Sequence, residues 1–164
     1  MIRQLYETDF EEVIKIVNDN WQSVYSGYVN PNLLYEHGCR ERAEQLKSDF
    51  ISRRFSEYVW VENDKVCALL SVGETADTDR TGDFEVWRLY VAAEMQGKKI
   101  GARLLEFAEQ KALNEGYEEI VIWAFSENKR AVDFYKKHGY IIDKTEFLNE
   151  PYLAYGTRLL KTII

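Results

Sequence analysis

"FEVWRLYVAAEMQGKKIGARLLEFAEQKALNEGYEEIVIWAF", residues 84–125, reads as strand, helix, strand. "FEVWRLYV" (84–91) and "EEIVIWAF" (118–125) are rich in the β-branched and aromatic residues that suit a pleated surface. Between them Ile100, Leu104, Ala108 and Ala112 recur every four residues, and the pattern predicts a helix running to Glu115 and stopped by Gly116. A helix joining two strands makes a crossover unit, so the strands should be parallel and the connection right-handed.

On the N-terminal side the pattern changes. "EYVWVE" (57–62), the polar turn "NDK" and "VCALLSV" (66–72) predict a β-hairpin. Residues 2–6 suit a short strand. "TDFE" offers Thr8 as an N-cap with Glu11 three positions on, for a helix over about 9–20 that buries Phe10, Val13, Ile14 and Val17. The loop "SVYSGYVNPN" follows, and residues 40–54 read as a charged, exposed helix. On the C-terminal side, "NKRAVDFYKKHGY" supplies a short helix ended by Gly139, and residues 140–146 and 153–161 a closing strand pair. Antiparallel strands early and a parallel crossover later predict an α/β fold, with a mixed, mostly antiparallel central sheet flanked by helices. It should be a single domain spanning residues 1–164 rather than a pure doubly wound fold.

Composition narrows the function. The chain has 21 Lys and Arg against 28 Asp and Glu, a formal net charge of -7, and a pI near 5.0. General binding to nucleic acid or to an anionic membrane is therefore not expected. No signal peptide or membrane span is read, and a cytoplasmic location is expected. Cys39 and Cys67 lack disulfide-scaffold or metal-ligand spacing, His37 and His138 are isolated, and no metal is expected. A homodimer is left open.

Against this acidic background, residues 96–103, "QGKKIGAR", gather Lys98, Lys99 and Arg103 at the start of a helix. Amides at a helix start lack intrahelical partners and carry partial positive charge, so they can cradle a phosphate. Glycines let the main chain approach closely. A tight turn with solvated lysines is the plainer reading. Neither G-x-x-x-x-G-K-[ST] nor G-x-G-x-x-G occurs, so nucleotide hydrolysis and dinucleotide binding are not supported.

The order "VWRLYVAAEMQGKKIGARLLEFAEQKA", "IVIWAF", "NKRAVDFYKKHGY" resembles the GCN5-related N-acetyltransferase (GNAT) family, which transfers an acetyl group from acetyl-CoA to an amine. The match covers residues 84–140, with Trp21, Tyr25 and Gly27 forming a further family pattern outside it. The family's pyrophosphate loop is Gln or Arg, two residues, Gly, one residue, Gly or Ala. Gln96 and Gly101 fit, whereas Lys99 stands where the inner glycine is usual; the loop could still work if residue 99 has negative φ, with Gly97 absorbing the turn. Asn128, Ala131, Phe134, Tyr135 and Gly139 match a second motif.

The resemblance implies acetyl-CoA as cosubstrate, held by Leu89, Tyr90, Val91, Gln96, Gly97, Lys98, Lys99, Ile100, Gly101, Ala102 and Asn128. It also implies a bulged strand 84–91 splayed from strand 118–125, an oxyanion-binding N–H at Leu89 or Tyr90, and Tyr135 as general acid. Some members carry a glutamate near the position of Glu85, which would act as base; alternation puts Glu85 on the face of Trp87 and Leu89. The amine acceptor would meet Trp21, Tyr25 and Tyr28. The plainer readings are a core aromatic for Tyr135, a solvated strand-end carboxylate for Glu85, and a hydrophobic seal for Trp21. The overall expectation is an N-acetyltransferase acting directly on a primary amine, with a catalytically silent acyl-CoA-binding regulatory domain as the alternative.

Overall fold

Phe84–Val91, Ile100–Asn114 and Glu119–Phe125 form the expected strand, helix and strand, and the two strands pair in parallel. The computed structural model describes residues 1–164. In chain order the elements are β1 (Ile2–Gln4), α1 (Phe10–Val24), α2 (Glu36–Ser52), β2 (Ser56–Glu62), β3 (Lys65–Glu74), β4 (Phe84–Val91), α3 (Ile100–Asn114), β5 (Glu119–Phe125), α4 (Lys129–Lys137), β6 (Ile141–Leu148) and β7 (Ala154–Thr162). One seven-stranded sheet runs in the order β1-β2-β3-β4-β5-β7-β6, and only β4 and β5 pair in parallel. The expected mixed sheet flanked by helices is therefore present. No helix is long and apolar enough to cross a membrane.

Alternation along the strands builds a core on each side of the sheet. Leu70 and Val72 of β3 and Phe84 and Val86 of β4 pack with Leu104, Leu105 and Ala108 of α3. Leu69 of β3 and Val59 of β2 face the other way, against Val13, Ile16 and Val17 of α1 and Leu46 of α2. Each large, fully buried side chain contributes about 1.5–3 kcal/mol. This anchors β4 from both sides and holds α3 against one of them.

Three local expectations are corrected. The Thr8–Glu11 capping box is absent: a short turn over Glu7–Asp9 precedes α1, and Asp9 accepts the Tyr6 N–H at 2.8 Å and both Arg3 amino groups at 2.7 and 2.9 Å. Thr8 lies inside that turn and Asp9 occupies the position before α1, so the Thr8 hydroxyl is not placed to cap the helix. α1 continues to Val24 rather than residue 20, because Trp21 is itself buried. α2 begins at Glu36, not residue 40, and is not simply exposed, since Asp49 is only 2% exposed and binds Arg88 of β4. Its buried acid has no apolar periodicity to announce it.

Candidate active site

β4 changes register in its middle. Ser71 of β3 pairs with Arg88 and Val72 with Val86, which leaves Trp87 as an extra residue, a β-bulge. β4 and β5 pair only at Phe84, Glu85 and Val86, and past that point they diverge. The Ala92 N–H bonds the Cys67 carbonyl, and antiparallel pairing alternates, so the main-chain groups of Arg88 and Tyr90 turn toward β3. Those of Leu89 and Val91 turn into the gap. Two side-chain amides, of Asn20 and Gln96, already reach the Val91 carbonyl there, at 3.3 and 3.4 Å.

The bulge also corrects the expected alternation. Leu89 and Val91 pack on the α3 side, whereas Arg88 and Tyr90 reach Asp49 and Trp21 on the opposite side. Glu85 therefore does not share a face with Leu89.

The gap runs into the start of α3. None of the six backbone N–H groups from Gly97 to Ala102 donates to a protein acceptor. Two positive φ angles shape this turn, 83° at Gly97 and 64° at Lys99. Lys99 thus takes the left-handed conformation usual for glycine, not the negative φ considered from the sequence. The turn keeps its geometry, and the cost falls on the lysine backbone, about 1 kcal/mol or more. Lys99→Gly should raise the melting temperature by roughly 1–2 °C, the relief of about 1–2 kcal/mol of strain being partly offset by glycine's added chain entropy. Thermal denaturation checks this; an unchanged or lower midpoint would contradict the strain.

Gap and turn open into one cleft of about 910 Å³ that also contains Glu85, Asn128, Phe134 and Tyr135. Asn128 caps α4, its Oδ1 accepting the Ala131 N–H at 3.3 Å, which leaves its NH₂ group for the cleft. Tyr135 of α4 is 8% exposed, its ring set against Phe134 and Tyr140. Burial pushes its phenol well above the usual tyrosine range, so it stays protonated. Glu85 is 4% exposed and accepts the Thr75 hydroxyl hydrogen bond. Burial pushes its carboxyl up to about 7, opposed by the Thr75 hydrogen bond and supported by the nearby charge of Asp77.

A sequence profile described as the Acetyltransferase (GNAT) family matches residues 10–140. The chain belongs to that family. It is an acetyl-CoA-dependent N-acetyltransferase. It is 26% identical over 156 residues to the spermidine N(1)-acetyltransferase of Thermoplasma acidophilum, covering 88% of this chain and 90% of that one. Among solved structures it resembles the PaiA N-acetyltransferase of Thermoplasma acidophilum in complex with coenzyme A, with TM-score 0.75, 22% identity and 99% and 98% coverage. An N-acetyltransferase from Staphylococcus aureus gives TM-score 0.78 at 19% identity, with 100% and 98% coverage.

For this acetyltransferase, Leu89, Tyr90, Val91, Gln96, Gly97, Gly101, Ala102 and Asn128 all line the cleft. Lys98 and Lys99 are exposed at its rim, and the Ile100 side chain is buried in the core. Arg103 leans over the Trp60 ring at 5.7 Å, outside the cleft lining. Trp21 and Tyr25 line the cleft and also seal the α1 side, where Trp21 Nε1 donates to the Tyr90 hydroxyl at 3.2 Å. Tyr28 is not a lining residue. Its hydroxyl is buried without a partner, and burial pushes it up to about 12.

Sequence reading missed several lining residues. Arg130 donates to Gln96 Oε1 at 2.8 Å and brings a cation to the cleft from α4. Asp77, in the loop between β3 and β4, had no periodicity or motif to mark it. Trp123 and Tyr152 read only as strand and loop aromatics.

Proposed function

We propose that the chain transfers the acetyl group of acetyl-CoA directly to a primary amine of a cationic acceptor. The observation that carries this reading is the row of six unpartnered amides at residues 97–102, opening on the same cleft as Glu85 and Tyr135. The amides and the rim cations Lys98, Lys99 and Arg130 suit the coenzyme's phosphates. The main chain of Leu89 and Val91 suits an amide-bearing arm added like a short strand, with the Asn128 NH₂ group opposite. Acetyl-CoA supplies the activated thioester.

The residues then divide the chemistry. An alkylammonium has a pKa of about 10.4 and must lose a proton before its nitrogen can attack. Glu85, whose carboxyl is pushed up to about 7, takes that proton. The Leu89 N–H points into the gap and stabilises the oxyanion; the Tyr90 N–H, turned toward β3, does not. As the C–N bond forms and the C–S bond breaks, the Tyr135 phenol keeps its proton and hydrogen-bonds the leaving sulfur, the second amine proton passes to solvent, and the departing thiolate takes its proton from solvent. A phenol with a raised pKa is a weak full acid here, so its main contribution is a hydrogen bond to developing thiolate charge. The acidic balance of the chain and the spermidine acceptor named for its relative support a cationic amine.

Amine-dependent release of coenzyme A thiol tests the reaction. Calorimetry with coenzyme A against pantetheine tests the cradle: the phosphate-bearing molecule should bind at least about 100-fold more tightly, from charge-assisted hydrogen bonds of about 1.5–3 kcal/mol each. Equal affinities would remove the phosphate role of residues 97–102. Tight binding with no turnover on any amine would favour the regulatory alternative.

A further inference from the structure

At the end of the cleft near Glu85, the loop from Thr75 to Asp83 is fastened to β6 and β7 by Arg158 and to β5 by Trp123. Arg158 of β7 is 3% exposed and bonds Asp79 twice at 2.8 Å, Asp143 at 2.7 Å and Asp77 at 3.1 Å. Trp123 Nε1 donates to the same oxygen of Asp77, Oδ2, at 2.8 Å. The Asp77 N–H bonds the Thr75 hydroxyl at 3.2 Å, and that hydroxyl donates to Glu85. Asp77 and Glu85 are thus fixed through one shared group.

Asp77 is surplus to the needs of Arg158, because Asp79 and Asp143 between them already engage all three guanidinium nitrogens. Its Oδ1 has no protein partner and its side chain, 23% exposed, lines the cleft. Glu85, far more buried, likewise keeps Oε1 without a protein partner in that cavity. Trp123 touches Asp77 through its indole N–H, and the rings of Trp87 and Tyr152 line the same cleft. A rigid carboxylate with one free oxygen, set among aromatic faces and beside a second carboxylate, suits an alkylammonium and its methylenes.

Resting on the acetyl-transfer reading, we propose that Asp77 is a specificity-determining residue: its free oxygen receives a second, non-reacting ammonium of a diamine or polyamine acceptor, while Glu85 serves the reacting nitrogen. Asn at position 77 can still accept from Trp123 and Arg158, so Asp77→Asn removes the charge and keeps the loop fastened. Asp79→Asn removes a carboxylate from the same arginine outside the cleft, and separates a structural effect from a recognition effect.

The test compares 1,4-diaminobutane with butylamine as acceptors, by thiol release, and titrates 1,4-diaminobutane against tryptophan fluorescence with coenzyme A present. The native chain should prefer the diamine by about tenfold or more, and Asp77→Asn should abolish most of that preference and weaken diamine binding by a similar factor, as expected for a charged hydrogen bond. Asp79→Asn should keep both. No preference in the native chain, retention of it in Asp77→Asn, or equal loss in both variants would overturn the proposal. Failure of the transfer reading looks different: neither amine releases thiol from the native chain. Fluorescence then decides alone, and diamine binding insensitive to Asp77→Asn overturns the assignment.

Discussion

Tyr135→Phe should lower turnover about 100-fold while leaving coenzyme A affinity within about twofold, the usual size of one lost hydrogen-bond donor to charge developing in the transition state. The ring keeps its packing against Phe134 and Tyr140, because only the hydroxyl is removed. The phenol has no protein hydrogen-bond partner to leave behind, so the fold should not suffer. Burial holds it protonated, and the loss should be the same at every pH where the enzyme works. Steady-state rates with a good amine, beside calorimetric titration of coenzyme A, check this. Unchanged turnover would return Tyr135 to the role of a core aromatic.

Glu85→Gln should have the larger effect on rate and the more informative dependence on pH. Turnover should fall by about 10²–10⁴-fold, the range for a general base. In the native enzyme kcat/KM should rise with pH toward a plateau above about 7, where Glu85 is ionised, and this limb should vanish in the variant. Stability should move in the opposite sense. The folded carboxyl is raised above its ordinary 4.5, so between 4.5 and about 7 the folded chain binds more protons than the unfolded chain. Native stability therefore falls as pH rises through that window, by on the order of 3 kcal/mol. The glutamine still accepts from Thr75 and carries no charge to desolvate, so the variant should be more stable than the native chain at pH 8 and close to it at pH 4. Denaturant melts at the two pH values measure this. A variant less stable at pH 8 would show that Glu85 is a structural ion rather than a strained base.

Arg88, beside the extra residue Trp87, bonds Asp49 of α2 and lies 3.5 Å from Glu57 of β2, which itself accepts from Ser71 of β3. Three elements thus hold the bulge that turns the Leu89 N–H into the cleft. The helix that supplies Asp49 reads from sequence as a solvated one, because a single buried acid does not create a periodic pattern.

The amino-acid order alone determined the crossover from residue 84 to 125, the hairpin before it and the helix stops at Gly116 and Gly139. Each follows from a period of 2 or 3.6, or from a glycine at a turn, within a few neighbouring residues. It also determined the family motifs, since Gln96, Gly101, Asn128 and Tyr135 lie at short fixed spacings. Tertiary structure alone decided the register shift at Trp87, the left-handed backbone of Lys99, the elevated carboxyl of Glu85 and the clamp from Arg158 to Asp77. These depend on contacts between residues as far apart as 77 and 158, where the energy of a hydrogen bond or a buried charge is set by neighbours in space. No local window of sequence carries that information.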